Sequence, residues 1–394
     1  MKKSILATVI AGTIFNMAYA IEPAGINMEN GVTVTPIINM GTKIDDNIFS
    51  KATDEKSSAI VTIAPSVNFL LNDGINQHSL DVGITSGTYL SSSDDNFLDG
   101  FLSFNSHLEP SSQSRFDFAL DANWVTEPRG TGITEGLGDN VTEPLTYADQ
   151  TFAAGYEYGA LSTPARIAFE VKYYNKGYTN FSDTTQYRDF DSVKLGSTFY
   201  YNTHAATDVF VEVNQDAIEY DNTKANEVTR NSDDYRALAG IKWEATALTS
   251  GTAKLGYQKK DFESASRANF SGLSWEAGVI WQPLSYTIIA FDTSRAARDP
   301  NVEGDYINES QYSLNWTHNW NEKISSTLGT SFTDEDYSGV SRTDETTTYS
   351  ASVNYSLTRW IDMSAFIDVT DKDSTRDGIL FDKNVIGMNF TVSM

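Results

Sequence analysis

The chain has 394 residues, no cysteine and a formal charge of −25. The lack of thiols excludes a disulfide scaffold and cysteine chemistry. The acidic balance argues against nucleic acid as a partner, because a duplex-binding surface needs clustered Lys and Arg.

Residues 1–20 read as a cleavable export signal. Lys2 and Lys3 form a positive end, Ile5 to Phe15 is mostly apolar, and Ala18-Tyr19-Ala20 fits a small-x-small cleavage site. Losing the two lysines takes the charge to about −27. Residues 21–31 form a short periplasmic segment, and 32–394 repeat one pattern to the end. The segment is too short for an N-terminal plug, which argues against an energised siderophore-type receptor. No mature stretch reaches the roughly 20 apolar residues of a membrane helix, a test that membrane-spanning strands escape.

Arg115 to Trp124 displays the repeated pattern. Phe116, Phe118, Leu120, Ala122 and Trp124 alternate with Arg115, Asp117, Ala119, Asp121 and Asn123. Successive side chains of a strand point to opposite faces, so one face here is apolar and the other charged. The same alternation predicts about eighteen strands, near 32–42, 59–71, 76–90, 96–108, 113–127, 147–160, 164–178, 187–201 and 205–220. The series continues at 232–248, 251–264, 270–283, 285–297, 305–318, 322–335, 343–357, 359–373 and 381–393.

The connections alternate short and long. Asn72-Asp73-Gly74, Ser162-Thr163-Pro164, Thr249-Ser250-Gly251, Pro283-Leu284 and Asn319-Trp320-Asn321 are short. Asp45 to Ser58, Glu127 to Thr146, Asp221 to Ser232 and Arg298 to Gly304 are long. Bacterial barrels have this rhythm, with short periplasmic turns and longer extracellular loops. Apolar sets such as Ile167, Phe169, Val171, Tyr173 and Leu273, Trp275, Ala277, Val279, Trp281 suit a lipid-facing surface. Trp124, Trp243, Trp281 and Trp316 near strand ends suit interfacial belts. Ile386, Met388, Phe390, Val392 and Met394 share one face of a final strand. That strand resembles the C-terminal recognition signal of outer-membrane proteins, although it ends in Met rather than Phe or Trp. The barrel-assembly machinery is an expected partner, with outer-membrane lipid and lipopolysaccharide.

The expected fold is therefore all-β: a transmembrane, antiparallel, up-and-down β-barrel of about eighteen strands in the outer membrane of a Gram-negative bacterium. In hydrocarbon every backbone donor and acceptor needs an internal partner, so such strands must close on themselves. At this size the interior is a water-filled channel. The expected lumen-lining residues are Arg115, Asp117, Asp121, Arg166, Glu170, Lys172, Lys194, Glu212, Arg236, Lys242, Glu244, Lys254 and Glu276. A dry interior would not hold so many charges. Tyr174 and Tyr200 offer ring faces to the lumen if they point inward, and are ordinary barrel aromatics otherwise.

Acidic clusters at Asp45-Asp46, Asp94-Asp95, Asp233-Asp234 and Asp334-Glu335-Asp336 read as solvated loop charge rather than divalent-cation sites at the lipopolysaccharide surface, since none has calcium-loop spacing. The glycine-rich loop between Glu127 and Thr146 either folds inward as a constriction or covers the mouth. His78, His107, His204 and His318 all fall at periplasmic turns or strand ends, away from an outer-rim site. No Gly-x-Ser-x-Gly, phosphate loop or zinc spacing occurs. The reading is a non-enzymatic channel without catalytic, metal or cofactor residues.

The mature N-terminus carries a more specific likeness. Pro36-Ile-Ile-Asn-Met-Gly-Thr-Lys-Ile-Asp-Asp-Asn-Ile-Phe49, followed by Ile63-Ala-Pro-Ser-Val-Asn-Phe69, resembles the opening of the β-barrel porin family associated with capsule and exopolysaccharide export clusters. The motif residues are Asp45, Asp46, Asn47 and Pro65. The resemblance implies export of a surface polysaccharide through the lumen, with a separate periplasmic polysaccharide-export protein below. No functional residue carries over, because Asp-Asp-Asn can simply end a strand and Pro can sit where a ladder bond is absent. The alternative is a diffusion porin for small solutes.

Overall fold

A computed structural model describes residues 25–203, 206–244 and 248–393. The signal at 1–20, His204 and the terminal Met394 lie outside the described residues. Eighteen long antiparallel strands follow one another. They are β1 (Val32–Asp45), β2 (Ser58–Asn72), β3 (Gln77–Tyr89), β4 (Phe97–Ser111), β5 (Ser114–Glu127) and β6 (Leu145–Tyr158). Next come β7 (Ala165–Tyr178), β8 (Phe190–Asn202), β9 (Thr207–Tyr220), β10 (Ser232–Trp243), β11 (Thr249–Phe262) and β12 (Phe270–Leu284). The last six are β13 (Thr287–Arg298), β14 (Ile307–Asn319), β15 (Ile324–Tyr337), β16 (Arg342–Thr358), β17 (Ile361–Ser374) and β18 (Phe381–Ser393). Each pairs with its sequence neighbours, and β18 pairs with β1 from Val385↔Asp45 to Ser393↔Ile37, which closes the barrel. A two-residue strand, Ile26–Asn27, pairs antiparallel with Thr33 and Val34 near the start of β1.

The observed strands coincide with the sequence-predicted set, with one shift of consequence. The strand expected at 232–248 ends at Trp243, which pairs with Thr207 and Gly251. Glu244 therefore lies in the turn, its N–H donating to Ala206 O, and is not a wall residue.

Local chemistry explains the turns and irregularities. At Asn72–Asn76 the Asn72 and Asp73 carboxamide and carboxylate oxygens accept from the backbone two residues on, and Gly74 takes φ +91°. Pro110 and Pro283 sit inside register shifts at the short-turn end, where a missing N–H costs no ladder bond. Pro65 lies where the β2–β3 pairing skips from Ile63↔Ser86 to Ser66↔Gly83.

Large apolar side chains stand exposed along one face of the sheet: Leu273 at 59%, Leu255 and Ile386 at 56%. In a closed sheet that face is the outside, and an apolar exterior band is what a bilayer requires. Aromatic residues gather on it near both ends. Trp124, Tyr235 and Tyr257 lie toward the loop end, and Trp281, Trp320 and Trp360 toward the turn end, all exposed. No described helix is long and apolar enough to cross a membrane.

Candidate functional site

The opposite face of the same strands is polar and lines the bore. From β5 to β12 it is charged, and ion pairs run along it. At the turn end Arg115 Nη2 donates to Glu157 Oε1 at 2.6 Å, Arg166 Nε to the same oxygen at 2.8 Å, and Arg166 Nη2 to Asp208 Oδ2 at 2.6 Å. Farther along, Lys254 Nζ lies between Glu212 at 3.2 Å and Glu276 at 2.9 Å, and Arg236 reaches Glu276 at 3.4 Å. Asp121 accepts from Ser103 Oγ, and Asp117 contacts His107 Nδ1 at 2.7 Å. Glu170, Lys172, Lys194 and Lys242 share this face through strand alternation. Lys172 and Lys194 are register partners on β7 and β8, a like-charge pair with no carboxylate within 4 Å among the described residues.

The rest of the bore has a different composition. From β14 through β18 to β2 the inward positions are mostly hydroxyls, amides and glycine. Examples are Ser313, Asn315, Gly329, Ser350, Ser352, Asn389 and Asn68, with Lys43, Asp362 and Asp368 as scattered charges and Glu309, Glu335, Arg342, Asp344, Lys372 and Lys383 paired toward the loop end. Tyr174 points inward on β7 and packs on Phe190, which in turn packs on Tyr220, with centroids at 5.5 and 5.3 Å. Tyr200 lies against Phe210 and under the Arg166 guanidinium.

Two loops cross the mouth. Loop 128–144, between β5 and β6, places Glu135 against Arg342 Nη2 at 2.9 Å and Lys372 Nζ at 2.5 Å, on β16 and β17. Strands β1–β4 and β18 separate those walls, so the loop spans the opening. The alternative of covering the mouth is the observed one. Gly130 takes φ +83°, and a Cβ there would meet Phe49 O at 1.9 Å, so the loop needs glycine to lie on the first loop. Loop 299–306, between β13 and β14, comes from another wall. Its Glu303 contacts Arg342 and Arg376. Arg342, with its side chain 2% exposed, thus ties both loops together while also pairing with Asp344 and covering the Tyr337 ring.

One member of each acidic cluster is buried and paired rather than solvated as expected, while Asp94 and Asp336 are exposed. Asp95 is buried and takes a bidentate Arg129, at 2.7 and 2.6 Å. Asp234 is buried against Gln258, and Glu335 pairs with Arg298. Gln258 is fully buried because β12 and β13 part beyond Trp275↔Arg295. Its Oε1 accepts from Ala297 N and its Nε2 donates to Ala297 O, replacing the missing ladder bonds. Gln258 shares the alternation of Lys254, but the sequence held no sign of this role. No cluster of three or more metal-ligating side chains occurs among the described residues.

Asp45, Asp46 and Asn47 sit at the barrel seam. Asp45 pairs with Lys383 at 2.9 Å, and Asp46 accepts from the N–H and the carboxamide of Asn384. Asn47 is fully buried; its Nδ2 donates to Lys51 O and Asp382 O, and its Oδ1 accepts from Lys51 N. The motif joins β1 to β18.

A closed barrel with an apolar exterior, a polar bore and loops over one mouth defines a porin-like outer-membrane channel. The chain belongs to the family described as Putative beta-barrel porin 2, whose model matches residues 19–394. No curated protein sequence matches it. Among solved structures it is similar to OccK2 (OpdF) of Pseudomonas aeruginosa, with TM-score 0.51 and 8% identity over 93% of this chain and 98% of that one. It is also similar to a BenF-like porin of Pseudomonas fluorescens Pf-5, with TM-score 0.50 and 9% identity over 94% and 100%. Against the FrpB iron transporter of Neisseria meningitidis the TM-score is 0.48 at 8% identity, covering 88% of this chain and 63% of the transporter. At such identities the likeness is one of fold.

Proposed function

We propose that the bore conducts a secreted polysaccharide outward across the outer membrane. The observation that carries this reading is the hydroxyl- and amide-lined wall from β14 to β2. A sugar chain presents many weak donors and acceptors. Ser, Thr and Asn side chains can exchange hydrogen bonds with it one at a time, which lets a polymer slide without a deep trap. Inward aromatics such as Tyr174 and Tyr200 add faces on which sugar rings stack. A separate periplasmic polysaccharide-export protein would dock at the turn end and deliver the polymer.

A second reading, a diffusion porin for small polar solutes, draws on the two loops that span the mouth, since a narrowed opening suits small molecules. Deleting the gene and measuring surface polysaccharide alongside small-solute permeability separates the two. Loss of polysaccharide with unchanged permeability, restored by the intact gene, is the expected result. Normal polysaccharide with reduced solute uptake would make the chain a porin.

A further inference from the structure

Loop 299–306 is held down by three arginines from three neighbouring loops. Arg230 Nη2 donates to Pro300 O at 2.9 Å, Arg188 Nε to Asn301 O at 2.8 Å and Nη2 to Val302 O at 3.1 Å, and Arg267 Nη1 to Gly304 O at 3.2 Å. Strands β9–β12 stand between the loop carrying Arg188 and the one it holds, so the strap crosses part of the opening. The carboxylates at hand are engaged elsewhere or singly. Asp299 lies 2.9 Å from Lys260 and accepts from Tyr220 Oη, and Asp305 takes Arg267 at 3.4 Å. Among the described residues neither Arg188 nor Arg230 has a carboxylate within 4 Å.

Three observations mark this as an unsatisfied anion site. Arg230 is 8% exposed and its Nη1 is buried without an acceptor. Burial, and then the charge of Arg230, pull the Arg188 guanidinium down to about 10 and hold Arg267 below its usual value. Main-chain carbonyls, which are neutral, fill positions that carboxylates bind more strongly, because a guanidinium fork matches two carboxylate oxygens. The approach from within the bore is aromatic. The Tyr174–Phe190–Tyr220 series ends beneath Arg230, whose guanidinium lies 5.6 Å from the Tyr220 ring centre. Ring faces beside a cation suit a sugar that carries an acid group.

We propose that Arg188, Arg230 and Arg267 form a carboxylate-binding site for an acidic sugar polymer, and that the carbonyls of loop 299–306 occupy it in the resting channel. An arriving uronate-type residue displaces the carbonyls, and the strap lifts as the polymer passes. This rests on the polysaccharide reading and adds the charge of the polymer to it.

The test is single-channel recording of the full chain in planar bilayers. Oligogalacturonate or a neutral glucose oligomer of equal length is added at the turn end. The native channel should show current blockades at concentrations about tenfold lower for the acidic oligomer, the scale of a charge-assisted bond. The double variant Arg188→Gln/Arg230→Gln should lose that preference, and Arg188→Lys/Arg230→Lys should keep part of it. Heat-modifiable gel mobility checks that each variant has folded. If the glutamine variant fails to fold, the native and lysine channels still decide through their acidic-to-neutral ratio. Equal blockade by both oligomers in the native channel would overturn the site and leave polymer conduction standing. No blockade by either, at normal KCl conductance, would overturn both.

Discussion

Asn47 is fully buried and spends its whole carboxamide on main chain, two bonds within its own loop and one to Asp382 at the start of β18. Asn47→Ala would remove three hydrogen bonds to main-chain groups of Lys51 and Asp382, each contributing about 0.5–1.5 kcal/mol. The expected outcome is a lower unfolding temperature in a heat-modifiability assay, with unchanged conductance in the molecules that remain folded. An unaltered unfolding temperature would show that the seam holds without it. The motif around Asn47 was visible as a strand-ending Asp-Asp-Asn, but its partner was not. Asp382 lies 335 residues away, and no local pattern reports which strand will close a barrel against the first.

At the scale of elements, the strands were readable because each carries its own two-residue period and its own turn residues, so their prediction needs only local information. Where prediction failed, at Glu244, the alternation through Lys242 continued the strand pattern past Trp243. The loops were far less readable. Loop 128–144 crosses the mouth through Glu135 and Arg342, which are 207 residues apart. The acidic pairs looked solvated because the sequence does not show that Arg129 folds over Asp95 or that Arg298 reaches Glu335. Arg342 is the strongest lever on this arrangement. Arg342→Gln would leave Glu135, Glu303 and Asp344 without their shared cation, and breaking such a buried pair costs about 3–5 kcal/mol. Lys372 would still hold Glu135 and Asp344, and Arg376 would still hold Glu303, so both loops should loosen at the Arg342 tie. Larger and noisier single-channel currents are expected, with faster proteolysis within 128–144 and an intact barrel. Currents and cleavage rates like those of the native channel would mean that other contacts hold the mouth.

Across the whole molecule, charge is separated from the conduction path more than the net value of −25 suggests. Many inward charges neutralise one another. Arg115 and Arg166 share Glu157, while Lys254 and Arg236 share Glu276. Replacing Arg166 or Arg236 would therefore disturb these ladders and also take the cation from Asp208 or Asp234, which confounds any reading of selectivity. Lys172 and Lys194 are better probes. They face one another across β7 and β8 with no carboxylate within 4 Å among the described residues, and only Asp216, opposite Lys194 in register, offsets part of their field. Two unit charges about 4 Å apart interact by about 1 kcal/mol in water, a severalfold factor in local ion concentration. Lys172→Glu/Lys194→Glu should shift the reversal potential in a KCl gradient toward cation preference, changing the permeability ratio severalfold. Arg115→Gln, at the buried turn-end ladder, should shift it less. The comparison also tests the mutual repulsion of the two lysines. Lys172→Gln alone should raise the unfolding temperature slightly, because removing one of two like charges in register relieves the strain between them. If the double charge reversal left selectivity untouched, these positions would not face the ion path.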